Sequence, residues 1–543
     1  MVFARRSTTL LAAIIASCAM VLSLTACTSD NKTVVDGQTT VTSNSAGGVA
    51  VFTPSDGITL NQQTPLNKWA KLVPDLAKAL ADAGFKKGDI DHTTSDSLAK
   101  QSRAIQDFVV DHLSNNTTDD SGIAIAPDNM TLLVAPVVEA DASPPPYGDI
   151  SLQNLSTNDA TDEGATSDGE SSEDDSSKDD SSNTESDSTA SDEQAQAVDR
   201  LVSSLKLAKE SGMHVVLLGN SIEGYKPDAF VKFSDAQTIG KLQAEKMVSK
   251  LKLDKASKDN PKYIEVLLPY TAVDEKGNAN DSTFAQEAFR GIWQVLGSYY
   301  QKGVVESPSG TLDGKSTEND WQAVAYDAAK EGSTAKVLDK RLAKTDGQST
   351  LTRIDGIITM NDYIASEVVK ELDDLGYTGS AADINPQITI SGIVGNITGK
   401  KDLSRDAVPD PIKSPENDNA NDSSSSDDDA DEDTSASDKD RDSQWPLVTG
   451  YGAYVSNIPS IVNGKQWMTG MEDRQTIATD IAQACAKLNK DEALNSMPSI
   501  RNSEVGGVKK IPTISEPLLA VSASNLKSAL IDPGYISLAD AGL

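Results

Sequence analysis

Apolar positions along most of this chain follow two alternating rhythms. Val49-Ala50-Val51-Phe52 is an unbroken run that reads as a buried strand, while Leu66, Trp69, Leu72, Val73, Leu76 and Leu80 recur at helical spacing and stop near Gly84. The alternation continues with a helix expected over 97–113, strands at 123–126 and 131–137, a helix over 194–211 and a strand at 214–218. Further helices are expected over 235–251, 282–301, 320–329, 363–375 and 475–488. Between them lie strands at 263–268, 354–360, 388–393 and 447–450, and Val304-Val305 opens another. Strand and helix in turn predict parallel sheets covered on both faces. About twelve strands are too many for one such unit and divide between two. The expected fold class is α/β with two lobes.

Two stretches break the rhythm. Residues 159–193 hold fourteen acids against Lys178, and residues 416–442 hold twelve against Lys439 and Arg441, so they account for most of the net charge of −34. Nearly free of apolar residues, they bury too little to offset ordering entropy and are expected as disordered insertions, 141–196 in the first lobe and 397–445 in the second. Pro144-Pro145-Pro146 stiffens the first. What remains is mildly acidic, without a basic stripe, which speaks against nucleic acid as a partner. The aspartate run at 427–429 lacks the glycine and terminal glutamate of an EF-hand loop.

At the N-terminus, Arg5 and Arg6 precede an apolar run over 10–24, too short for a spanning helix and flanked as an export signal is. Leu24-Thr25-Ala26-Cys27 closes it and resembles the lipobox of bacterial lipoproteins. That resemblance implies a signal peptide over 1–26, lipidation of Cys27, and an extracytoplasmic protein anchored in the membrane by its acyl chains. Residues 27–47, polar and rich in Ser, Thr and Asn, are expected as a flexible tether. Cys485 is then the one cysteine besides Cys18 and Cys27, and with three histidines no His/Cys metal site is expected.

Several segments resemble type I periplasmic sugar-binding proteins of ABC importers, near the xylose-binding and multiple-sugar-binding branch. They are Val448-Thr449-Gly450, Ile458 through Gly464, Gln466-Trp467-Met468-Thr469 and Asp473-Arg474. Upstream lie Asn67-Lys68-Trp69, Phe233-Ser234-Asp235 with Gly240-Lys241-Leu242-Gln243-Ala244, and Asn361-Asp362. Lys509 through Ile511 and Leu518-Leu519-Ala520-Val521 resemble the closing segment. The resemblance implies a type I periplasmic-binding-protein fold with lobe 1 at 48–233 and 453–508, and lobe 2 at 234–452 and 509–543. It implies a sugar-like small molecule in the interlobe cleft, an ABC permease as membrane partner, a monomer, no cofactor and no enzymatic activity.

Site residues follow from the matched positions. Trp69 and Trp321 are expected as stacking platforms, Asn361 and Asp362 as hydrogen-bonding groups at a strand end, and Asp235 within the hinge. Three positions depart from the pattern: Gly219-Asn220 replaces Asp-Arg, Gln286 replaces a cation, and Tyr451-Gly452 replaces Gln-Asp. Asn220, Gln286 and Tyr451 are therefore expected to make the contacts of an altered pocket. The alternative is a surface sensor or interaction lipoprotein with a degenerate pocket. No G-x-S-x-G, P-loop or H-E-x-x-H segment points to an enzyme.

Overall fold

The computed structural model describes residues 32–35, 38–41, 46–55, 66, 69–115, 125–138, 154–155, 184–273, 282–328, 330, 332–343, 351–381 and 445–543. The signal run, Cys27, the strand expected at 388–393 and most of both acidic tracts lie outside the described residues.

Residues 1–45 form a unit of their own. Within it Lys32–Val35 pairs antiparallel with Gln38–Val41. This corrects the expectation of a wholly flexible tether.

In the unit from Ala46 onward, two sheets carry the architecture. The first holds β1 (Gly48–Pro54), β2 (Ile90–Ser95), β3 (Met130–Val134), β4 (His214–Leu218) and β5 (Ala229–Val231). The second holds β6 (Lys262–Val266), β7 (Val305–Glu306), β8 (Gly356–Ile358), β9 (Leu447–Tyr451) and β10 (Met468–Met471). A hairpin, β11 (Ile500–Val505) with β12 (Val508–Ile514), extends the first, and β13 (Leu519–Ser522) extends the second. Their orders are β11-β12-β5-β4-β3-β1-β2 and β7-β6-β8-β9-β10-β13. All neighbours are parallel except β11–β12 and β10–β13. Counted from its own first strand, each sheet runs 2-1-3-4-5, the order of a doubly wound nucleotide-type fold.

Helices flank both sheets: α1 (Trp69–Asp82), α2 (Leu98–Asn115), α3 (Thr184–Glu210), α4 (Ala236–Leu251), α5 (Thr283–Gln301), α6 (Trp321–Val324), α7 (Ser333–Arg341), α8 (Asp362–Leu375), α9 (Ile458–Val462) and α10 (Arg474–Leu488). Helix α10 packs on α1, and Cys485 is buried in the core they share, where burial pushes its thiol well above the ordinary range.

Some expectations move. Helix α3 starts at Thr184, so the last part of the expected first insertion is helical. No Pro or Gly interrupts 184–196, and extending a formed helix costs far less than nucleating one. Trp445, expected within the second insertion, is buried, with its indole N–H donating to the Lys465 carbonyl at 2.7 Å. The helix expected over 320–329 is the single turn α6, because Ala325–Tyr326 pairs with Leu268–Pro269 instead. Ile125 and Ala126 lead into a 3₁₀ turn at Pro127–Asn129 rather than a strand. The chain returns to the first lobe after Met471, not at 453, because β10 pairs with β9, and it stays there to Ile514, because β12 pairs with β5.

Three segments thus cross between the sheets: β5 to α4, β10 to α10, and β12 to β13. Each leaves from the carboxyl end of its strand.

Candidate functional site

In doubly wound sheets ligands bind outside the carboxyl ends of the strands, near the switch in strand order. That edge in the first lobe collects Trp69, Asn220 and Phe233. The Trp69 ring is 2 % exposed and meets Phe233 edge-on, with centroids 5.9 Å apart. Gly219 lies between, at φ 71°, and a Cβ there would sit 3.4 Å from Phe233 and 3.7 Å from Trp69. Trp69 is therefore spent on the core of the first lobe instead of being presented as a platform. Asn220, also buried, donates through Nδ2 to the Pro136 carbonyl at 2.8 Å and ties the ends of β3 and β4 together.

In the second lobe the chain leaves β8 through Met360, whose φ of 68° is uncommon for a side chain with a Cβ. Asn361 caps α8 by accepting from the Ile364 N–H at 2.9 Å. Asp362 is fully buried. Its Oδ2 accepts from the Tyr454 N–H and the Thr469 hydroxyl, both at 2.9 Å, and its Oδ1 accepts from Gln466 Nε2 at 2.7 Å. Asn457 donates to the Asp362 carbonyl at 2.6 Å and to Gln466 Oε1 at 2.8 Å. Burial raises the Asp362 carboxyl to about 6 even against these donors. The expected ligand group is thus a cross-link inside its own lobe. The same geometry accounts for the glycine of Val448-Thr449-Gly450: a Cβ on Gly450 would lie 2.2 Å from Asp362 Oδ1.

Where the crossings meet, Glu472 Oε1 accepts from the Ser234 N–H at 2.6 Å and from the Tyr451 hydroxyl at 3.3 Å, and the Ser234 and Tyr451 hydroxyls bond each other. All three residues are buried, and burial pushes the Glu472 carboxyl up to about 7. Because Ser234 follows β5 and Glu472 follows β10, this contact brings the carboxyl edges of the two sheets together. Next to it, Arg474 reaches Asp75 at 3.1 Å, donates to the Leu66 carbonyl and covers the Tyr535 ring at 4.6 Å. Leu66 in turn donates to the Gly452 carbonyl at 2.9 Å.

The remaining candidates lie apart. Asp235 caps α4 through the Thr238 N–H at 2.7 Å and pairs with Lys232 at 2.9 Å. Gln286 donates through Nε2 to the hydroxyl of Ser282, the residue that precedes α5, at 2.7 Å. Trp321 is half-buried and packs edge-on against Tyr270, with centroids 5.1 Å apart. Tyr270 lies just past the carboxyl end of β6, at the switch between β6 and β8, so this pair offers the edge an aromatic surface. Tyr270, Ser234, Glu472 and Arg474 were not among the candidates. Gln466 and Thr469 were visible only as members of a motif. Nothing in the sequence marks Glu472 as buried.

Two doubly wound lobes joined by three crossings are the architecture of type I periplasmic binding proteins. The chain is similar in structure to an ABC transporter solute-binding protein from Clostridium phytofermentans with bound β-D-glucose, at 17 % identity and TM-score 0.43, over 91 % of this chain and 99 % of that one. It is also similar to a carbohydrate transporter solute-binding protein from Chloroflexus aurantiacus in complex with D-glucose, at 18 % and 0.42, over 92 % and 98 %. A solute-binding protein from Bacillus halodurans with bound myo-inositol matches at 11 % and 0.36, over 90 % and 98 %. No protein-family model and no curated protein matches the chain. The fold rests on the strand pairings above.

Proposed function

We propose that this protein is an extracytoplasmic solute-binding protein of an ABC transporter, anchored through a lipid on Cys27, that holds a monosaccharide or similar polyol between its lobes. The observation that carries the reading is the repeated 2-1-3-4-5 order with both carboxyl edges meeting at the crossings, the arrangement that makes a closable cleft. The motif order favours the xylose- and multiple-sugar-binding branch. The ligand stacks on the Trp321–Tyr270 pair, as the apolar faces of sugars do on aromatic rings, and Gln286 supplies a neutral polar contact. It binds as a monomer, and the closed form docks on a membrane permease. Lobe 1 comprises residues 46–233 and 473–514, and lobe 2 residues 234–471 and 519–543.

A second reading, a surface sensor or interaction lipoprotein with a degenerate pocket, is favoured by one observation. Trp69, Asn220, Asn361, Asp362 and Tyr451 are all buried and make their contacts within the protein. Fluorescence titration of the protein with D-glucose, pentoses and myo-inositol separates the two. The transport reading expects a saturable change, weakened in Trp321→Ala by about 1 kcal/mol or more, the scale of an aromatic contact. Saturable binding that Trp321→Ala leaves untouched removes the aromatic platform, and no response to any of these ligands favours the second reading.

A further inference from the structure

A buried ion pair stands at the root of the Trp321–Tyr270 pair. Glu265 lies in β6 and Arg341 ends α7; their side chains are 0 % and 8 % exposed and approach to 3.4 Å. Arg341 Nη1 donates to the carbonyl of Val266, the last residue of β6, and Nη2 donates at 2.9 Å to the carbonyl of Val324, the last residue of α6. Regular structure supplies no donor for either. The last carbonyls of a helix have no partner within it, and β7 pairs with β6 only at Lys262 and Tyr263, short of Val266. Just past these two residues Leu268–Pro269 pairs with Ala325–Tyr326, and the Tyr270 N–H donates to the Tyr326 carbonyl at 2.9 Å. Glu265 Oε1 accepts from the Ser307 hydroxyl at 2.7 Å and from the Ser309 N–H at 2.8 Å, which pins the segment leading from β7 into α6. The chain carrying Trp321 is thus held before the ring by Glu265 and after it by Arg341.

We propose that Glu265 and Arg341 are positioning residues for the aromatic platform, fixing the Trp321 ring against Tyr270 without touching the ligand themselves. The inference rests on the sugar-binding reading for what the platform holds, while the platform's geometry is readable without sugar. Stability alone does not account for such a pair, because apolar residues of similar volume in place of a buried ion pair are often neutral or stabilising. What the pair supplies is direction. A planar guanidinium donates along fixed lines and so sets the β6 carbonyl against the α6 carbonyl, whereas a lysine ammonium is a point charge on a flexible stem.

Acrylamide quenching of tryptophan fluorescence in the full chain, without sugar, tests this. Of the five tryptophans, Trp69, Trp293, Trp445 and Trp467 are buried and Trp321 is half-buried, and subtracting the signal of Trp321→Phe isolates the last. The double variant Glu265→Leu with Arg341→Met leaves neither charge buried alone. It is expected to melt cooperatively and to show Trp321 quenched more strongly than in wild type. A sugar that wild type binds is expected to bind the variant about fivefold more weakly, the worth of one aromatic contact. Trp321 quenching at the wild-type level, or full sugar affinity despite altered quenching, overturns the proposal. If the double variant does not fold, Arg341→Lys decides by the same reading. It keeps a charge opposite Glu265 without the fork that bonds both carbonyls, and unchanged quenching there overturns the proposal. Wild type that binds no sugar, together with stronger Trp321 quenching in the variant, removes the transport reading and upholds the positioning.

Discussion

Gly450 shows how little of the site's logic is local. Its backbone follows an ordinary strand, and the residue is excluded from bearing a side chain because Asp362, from a different strand-to-helix turn, and the Gln466 amide bonded to it fill the place of its Cβ. Gly450→Ala forces either Asp362 or β9 to shift. Urea denaturation is expected to show a loss of about 1–3 kcal/mol, the usual range for overpacking a buried position. Unchanged stability contradicts this packing. The sequence displayed Val448-Thr449-Gly450 and Asn361-Asp362 as separate motifs, and both look like ligand-binding groups when read singly. That they meet each other, with Gln466 and Thr469 as donors, is a tertiary fact. Polar type and position at a strand end carry no information about which polar partner is consumed first. Tyr451 follows the same rule: its hydroxyl is tied to Ser234 and Glu472.

At the scale of elements, caps divide the expected binding residues from the structural ones. Asp235 accepts from the Thr238 N–H with the geometry of an N-cap and has Lys232 beside it. Asp235→Ala is expected to cost about 1 kcal/mol of stability while leaving sugar titrations unchanged; weakened binding at undiminished stability contradicts the cap and restores a ligand role. Helices with strong 3.6-residue periodicity were legible to within a few residues, among them α1, α4, α5, α8 and α10, because their apolar stripes alone specify which face is buried. Elements whose identity depends on a neighbour were not. Strand β2 is mostly exposed along Ile90–Ser95 and reads as polar loop, and the β11–β12 hairpin is exposed at many positions. Helix α6 stops after one turn because Ala325–Tyr326 gains a strand partner at Leu268–Pro269, a pairing no local propensity announces.

The molecule as a whole repeats one design twice. Each lobe is wound in the same strand order, and chain segments cross at carboxyl ends, so both carboxyl edges are carried to one joint. The two-lobed α/β class was readable from alternation alone. The points at which the chain changes lobe were not, because β9 and β10 pair in the second sheet across the intervening α9. At the joint, Leu66 adds a contact from the first lobe. It is buried among Ala453, Ile458, Met471 and Val521, which belong to the strands and helix around the second sheet. The proposed cleft closes by a shift of population between open and packed forms, and a ligand shifts it only by binding the two forms differently.

The central claim, a sugar-type ligand held between the lobes, is tested most directly by thermal melting of the protein starting at Cys27. The panel is pentoses, hexoses and polyols, measured at one fixed pH. A ligand present at about 100 times its dissociation constant adds about 2.7 kcal/mol. The account predicts a clear rise in melting temperature with at least one of these compounds, reduced in Trp321→Ala. An unshifted melting temperature across the whole panel contradicts it.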